Sequence, residues 1–247
     1  MKFIMAKNKD EANERAGELV IDRLRKKKDL VLGLPTGNTP VGIYLELVKD
    51  YKQNGTTYHN CTTINIDEYI GLNRRHPNSY HAYMHDHLFD HIDIQEENTY
   101  IPDGTVVDVQ RECERYDKVI KQKGPLDLLI LGIGHNGHIG FNEPGTSFDS
   151  TTHLVELTEE TKKINAKHFS SFDEVPRAAI TMGLQTMMES REILLVISGE
   201  GKADAYRKFL ETEKMEDFPA SVLKGHPNLT VIVDEKMIRY GNVVSKI

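Results

Sequence analysis

Tryptophan is absent from this 247-residue sequence, and cysteine occurs only at Cys61 and Cys113. Two cysteines without a CxxC spacing give neither a disulfide framework nor a thiolate metal site, so two reduced thiols are expected. Positive charge is scarce as well: 31 Lys and Arg stand against 38 Asp and Glu, a formal net charge of −7. That balance argues against a nucleic-acid binder, which carries a basic face, yet it leaves room for a local positive patch facing a small anion. No run of about 18 apolar residues occurs, so no membrane-spanning helix is expected. The opening MKFIMAKNKD turns polar too early for a signal peptide, and a cytoplasmic location follows as the expectation. Repeats, low-complexity tracts and Pro/Gly/Ser linkers are missing, so residues 1–247 are expected to form one domain.

What is present is an alternation of short apolar runs and longer amphipathic stretches. FIMA precedes a helix-like segment near Asp10 to Lys28, with Ala12, Ala16, Leu19 and Leu24 roughly on one face. DLVLGLP, CTTINID, PLDLLILGIG, THLVEL, REILLVIS and LTVIVD read as strands. TPVGIYLELVKDYKQ, NSYHAYMHDHLFDHI, DVQRECERYDKVIKQKG, PRAAITMGLQTMMES, GKADAYRKFLETE and PASVLKGHP read as helices. This order predicts an α/β fold, a mostly parallel sheet with helices on both faces. The unbroken aliphatics of LLILGI and ILLVI suit strands buried on both sides.

In such sheets ligands gather beyond the carboxyl ends of the strands. Four polar, glycine-bearing stretches sit at such ends. GLPTGNTP offers the N–H groups around Gly37 and Asn38, with the hydroxyls of Thr36 and Thr39, to an anion at a helix start; a tight turn capped by Thr39 is the plainer alternative. SGEGKA puts Lys202 early in a helix, where a cation opposes the dipole unless an anion is near; otherwise it is a solvated lysine. NIDEYIGL brings Asp67 and Glu68 to a strand end, as a general base or as turn-forming acids.

GIGHNGHIGFNEPG, Gly132 to Gly145, is the densest of the four. His138 is the side chain there whose charge changes near neutral pH. Glu143 can orient that imidazole and support its protonated form, and Asn136 can fix a ring nitrogen or a substrate hydroxyl. His135 receives no role. The i, i+4 pairs His81/His85 and His87/His91 have zinc-like spacing, but HExxH is missing and the pairs fall on different helical faces, so they read as surface, packing or rim residues and no metal is expected. Taken together these residues suit acid–base chemistry on a small phosphorylated carbonyl compound: ring opening and proton transfer between neighbouring carbons.

GLPTGNTP, NIDEYIGL, HPNSYHAYM, LGIGHNGHIGFNEPG and SGEGKA, in this order over nearly the whole chain, resemble the glucosamine-6-phosphate deaminase family. The resemblance implies a Rossmann-like α/β fold like that of ribose-5-phosphate isomerase and the CoA transferases. It implies conversion of D-glucosamine 6-phosphate and water to D-fructose 6-phosphate and ammonium, in amino-sugar metabolism, with no metal or organic cofactor. It also implies His138 for ring opening, Glu143 and Asn136 as its support, and Asp67 as the base at C2. Thr36, Gly37, Asn38, Thr39 and Lys202 would hold the phosphate. Lys167 stands where the family usually has an arginine clamp, and lysine lacks the bidentate fork. Asn136 stands where other members carry aspartate, so here it can only orient. Long hexameric members carry basic residues for an allosteric acetylated sugar phosphate; this sequence has His153, Val155 and Glu156 there and ends at Ile247. No such activation, and a monomer or small homo-oligomer, are expected. A 6-phosphogluconolactonase shares the fold and a similar loop but lacks the FNEPG and DEYIGL contexts. A sugar-phosphate sensor of a transcription regulator would bring a basic helix-turn-helix segment, and none is present.

Overall fold

The computed structural model describes residues 1–235. The strands in chain order are β1 (Lys2–Ala6), β2 (Val31–Leu34), β3 (Thr62–Asn65), β4 (Asp67–Tyr69) and β5 (Thr99–Tyr100). They continue with β6 (Leu128–Gly132), β7 (His153–Glu156), β8 (Ala178–Thr181), β9 (Ile193–Ile197) and β10 (Leu229–Asp234). The α-helices are α1 (Lys9–Lys26), α2 (Pro40–Asn54), α3 (Tyr80–His87), α4 (Val109–Lys123), α5 (Glu159–Asn165), α6 (Leu184–Met188) and α7 (Ala203–Glu211).

Seven strands among the described residues form a parallel sheet in the order β1-β10-β9-β6-β2-β3-β5. Their side chains alternate between two cores. Leu129, Leu131, Ile193, Leu195 and Ile197 pack with Tyr116 of α4 and Phe209 of α7. Leu128, Ile130, Leu194 and Val196 face the opposite way, onto Ala16 and Val20 of α1 and Leu47 of α2. A strand apolar at every position is what two covered faces demand.

The chain builds outward from β2 through β3 to β5, then returns to place β6 on the other side of β2. The loops after β2 and β6 therefore leave adjacent strands in opposite senses and open a crevice at their carboxyl ends. GLPTGNTP and GIGHNGHIGFNEPG are those two loops.

A second sheet, in the order β4-β8-β7, is antiparallel and lies outside the sequence expectation. The segment PRAAITMGLQTMMES, expected to be one helix, contains β8 and the short α6 instead. Ala178–Thr181 pairs with β4 on one side and β7 on the other, a non-local reward that overrides helix-permissive residues. THLVEL is a strand, as expected, but of this small sheet. The handover between sheets takes one residue: Ile66 N–H donates to Leu34 O in the large sheet, while Ile66 O accepts from Met182 N in the small one. Asp67 is the next residue, and it pairs with Thr181.

One expected helix is tighter than α throughout, and another begins with a tighter turn. Pro219–Gly225, within PASVLKGHP, is a 3₁₀ helix, and a 3₁₀ turn at Glu200–Lys202 leads into α7. α3 is shorter than the histidine-rich segment suggested: Ser79 caps it by accepting from Ala82 N, and it stops at Leu88.

Candidate active site

The crevice holds a cavity of about 250 Å³. Thr36, Gly37, Asn38 and Thr39 form one wall, Asp67 and His138 the floor, and Lys202 the far side. Tyr80, Phe141, Thr161 and Asn165 complete it. Segments far apart in the chain thus converge on one space.

The Thr36–Thr39 loop is held from outside. Tyr83 OH of α3 donates to Gly37 O at 2.6 Å, and Gly37 has a left-handed φ of 96°. Thr39 occupies the cap position of α2, but its side chain makes no capping hydrogen bond. The sequence left open whether Thr39 was a cap; its hydroxyl remains uncommitted to that duty. Lys202 reaches the cavity from the junction after β9, where Gly199 N donates to Asp234 Oδ2 at 2.7 Å and shapes the turn. Burial lowers the Lys202 pKa, so an anion beside it would restore the charged form.

Asp67 is 5% exposed, and its Oδ1 has no hydrogen-bond partner. Burial first, and the charge of Glu68 second, raise its carboxyl well above the ordinary value. Glu68 is the structural member of the pair. Its Oε1 accepts from Tyr69 N and Tyr80 N, and its Oε2 accepts from His81 N and meets His81 Nδ1 at 3.0 Å. One acid ties β4 to the start of α3, and the other is left facing the cavity.

In the glycine-rich loop, Gly134 N donates to His138 O and Gly137 N to Gly134 O, closing a compact ring of backbone. A Cβ at Gly134 would lie 2.2–2.3 Å from three imidazole atoms, so glycine makes the slot in which the ring sits. The loop is then stitched to the small sheet. Phe141 N donates to Thr181 Oγ1, and Asn142 Nδ2 donates to Ile139 O and Met182 O.

The imidazole does not meet Glu143 directly. His138 Nδ1 is 2.7 Å from Asn136 Oδ1, Asn136 Nδ2 donates to Glu143 Oε2 at 2.7 Å, and Nδ1 lies 3.8 Å from that carboxylate. Of the two ends of the Asn136 amide only the NH₂ can donate to the carboxylate, which turns the amide oxygen toward the ring. That oxygen cannot donate, so Nδ1 carries the proton and Nε2 is the acceptor of the neutral ring. Burial lowers the His138 pKa; Glu143 raises it, Lys202 and His135 lower it, and Glu160 raises it. The ring is held neutral with a defined tautomer.

Lys167 does not join this group. It is exposed on the 3₁₀ turn Ala166–His168, while Asn165, two residues earlier, lines the cavity. The histidines of the α3 region spend their nitrogens locally: His81 on Glu68, His85 on Asp90, and His91 on the Asp86 carbonyl. The sequence reading missed Tyr80, Thr161 and Asn165. His135, given no role, has its Nε2 2.9 Å from Glu160 Oε1 without hydrogen-bond geometry. A signal for α5 was present in LTEETKK: a threonine cap, acids in the first turn and lysines behind them.

Residues 6–232 match the family described as glucosamine-6-phosphate isomerases/6-phosphogluconolactonase. This chain belongs to that family. Within the glucosamine-6-phosphate isomerase/6-phosphogluconolactonase family it is similar to a glucosamine-6-phosphate deaminase of Geobacillus sp. (strain WCH70), 54% identical over 95% of this chain and 94% of the relative. It is similar also to glucosamine-6-phosphate deaminase 1 of Bacillus subtilis (strain 168), 47% identical over 96% and 98%. Among solved structures, a monomeric glucosamine-6-phosphate deaminase superposes with a TM-score of 0.94 at 46% identity, covering 97% of this chain and 99% of that one. A 6-phosphogluconolactonase from Thermotoga maritima, 18% identical, superposes at 0.74 over 95% and 99%, a likeness of fold alone.

Proposed function

We infer that this chain deaminates glucosamine 6-phosphate, releasing fructose 6-phosphate and ammonium. The observation that carries the reading is the convergence of a buried, unpartnered acid and a tautomer-fixed neutral imidazole on one cavity faced by Lys202 and the Thr36–Thr39 loop. Identity near one half to deaminases over nearly full length supports it.

The phosphate sits against the amides of Gly37 and Asn38, the hydroxyls of Thr36 and Thr39, and the Lys202 ammonium. His138 Nε2 takes the proton of the anomeric hydroxyl and returns it to the ring oxygen, which opens the ring to the aldehyde. Asp67 then removes the C2 proton, giving an enolamine, and delivers it to C1, leaving an imine at C2. Water adds at C2, ammonia leaves, and the ketone remains. A base held above the ordinary carboxylate range is matched to both halves of this transfer, because it gives the proton back as readily as it takes it. Lys167 stays a candidate phosphate partner only if its 3₁₀ turn moves toward the cavity.

Lactone hydrolysis needs one activated water and no acid placed for carbon deprotonation, so the paired groups favour deamination; a sensing domain needs neither. The test is ammonia release by the purified chain from glucosamine 6-phosphate, run beside hydrolysis of 6-phosphogluconolactone. Ammonia release alone supports the reading, and lactone hydrolysis alone overturns it.

A further inference from the structure

Both oxygens of Glu143 are taken. Oε2 accepts from Asn136, and Oε1 accepts from Thr161 Oγ1 at 2.7 Å. Thr161 is 7% exposed and belongs to the first turn of α5, outside the glycine-rich loop. Its hydroxyl in turn accepts from Thr158 Oγ1 at 3.0 Å, and Thr158 Oγ1 accepts the Thr161 amide as the helix cap. A threonine has one hydroxyl proton, and a carboxylate has none to give. The direction of the chain is therefore fixed: Thr158 donates to Thr161, and Thr161 donates to Glu143. Each member polarises the next, which strengthens the last bond. The residue before Thr161 adds proximity only: Glu160 Oε1 lies 2.9 Å from His135 Nε2 without hydrogen-bond geometry.

We propose that Thr161 is a positioning residue for the proton relay: its hydroxyl fixes Glu143, so that the Asn136 amide is turned correctly onto His138 only while α5 lies over the cavity. The inference deepens the deaminase reading and rests on it for its catalytic consequence. A carboxylate held by Asn136 alone can rotate about its own bonds. With that rotation the amide loses the partner that distinguishes its oxygen from its nitrogen, and the imidazole loses its preferred tautomer. The charged and titratable groups around His138 are Glu143 and His135 in its own loop, Glu160 of α5, Lys202 before α7, and Asp67 of β4 on the same cavity.

The test compares Thr161→Val with Thr161→Ser. Valine keeps the shape and the backbone N–H that Thr158 caps, and removes the hydroxyl proton; serine keeps the proton. The first readout is NMR titration of the His138 imidazole, which needs no turnover. In Thr161→Val the midpoint is expected to fall below that of the parent and the Nδ1–H signature to weaken, and Thr161→Ser is expected to titrate like the parent. The second readout is kinetic. With glucosamine 6-phosphate, kcat of Thr161→Val is expected to fall about tenfold, part of the roughly 10²–10⁴-fold that a positioned proton-transfer group supplies. KM should change much less. An unaltered His138 titration in a folded Thr161→Val protein overturns the proposal, whatever the activity. A shifted titration in Thr161→Val, together with a parent that releases no ammonia, upholds the positioning role and removes the deaminase reading instead.

Discussion

At the scale of single residues, Asp67 carries two opposed consequences of one environment. Its carboxyl is raised well above 3.8 by burial and by Glu68, which suits it to the proposed role of base and makes its ionised form costly to the fold. Below pH 3.8 the acid is protonated in both folded and unfolded chains and contributes no pH dependence. As pH rises further the unfolded chain releases the proton first, so the native state loses stability until the folded group has also ionised. Asp67→Asn is therefore expected to abolish turnover, by about 10²–10⁴-fold or more, and to stabilise the protein at pH 8 relative to pH 4. Denaturant unfolding at those two values checks the sign; an Asp67→Asn variant less stable than the parent at pH 8 contradicts it. The placement of Asp67, His138 and Lys202 beyond the ends of β3, β6 and β9, around one cavity, was legible in the sequence. The order of the relay was not. Nothing in the string NGHIGFNE says that Asn136 lies between the ring and the acid, because that depends on how Gly134, Gly137 and Gly140 fold the loop.

At the scale of elements, the large sheet could be read from its unbroken aliphatic runs, whereas the small sheet could not. β4 has three residues, too short for any periodicity, and the same holds for two-residue β5 at the edge of the large sheet. β8 hides in a run of residues that a helix would also accept, and its pairing with β4 and β7 is non-local. Glycines separate the elements' structural and functional needs. A Cβ at Gly183, just before α6, would lie 2.2 Å from the carbonyl oxygens of Ser150 and Thr151, and backbone cannot step aside. Gly183→Ala is expected to cost about 1–3 kcal/mol of stability, as overpacking does. A Cβ at Gly134 meets a side chain, the His138 ring, which can swing away. Gly134→Ala should keep nearly the parent's unfolding midpoint and lose about 10²-fold or more in kcat. Equal stability losses in the two variants would show that the loop does not separate these roles.

At the scale of the whole molecule, the small sheet is where activation from a distance would have to enter. β4 carries Asp67, β8 anchors the glycine-rich loop through Thr181 and Met182, and β7 forms the outer edge. A phosphosugar bound at β7 could reach both proposed catalytic groups through two strands. β7 is poorly equipped to hold one. Its His153 ring is engaged with Thr151 O at 2.7 Å, Val155 packs toward Tyr69 and Phe141, and Glu156 is exposed. A carboxylate about 4 Å from a phosphate dianion repels it by about 1 kcal/mol per charge pair even at the dielectric of water, and by more near a protein surface. Velocity is therefore expected to rise hyperbolically with glucosamine 6-phosphate, and N-acetylglucosamine 6-phosphate should change neither kcat nor the shape of the curve. Steady-state kinetics with and without the acetylated sugar decide it. A sigmoidal curve straightened by that ligand would mean that a cationic site is assembled elsewhere, from residues that β7 does not supply.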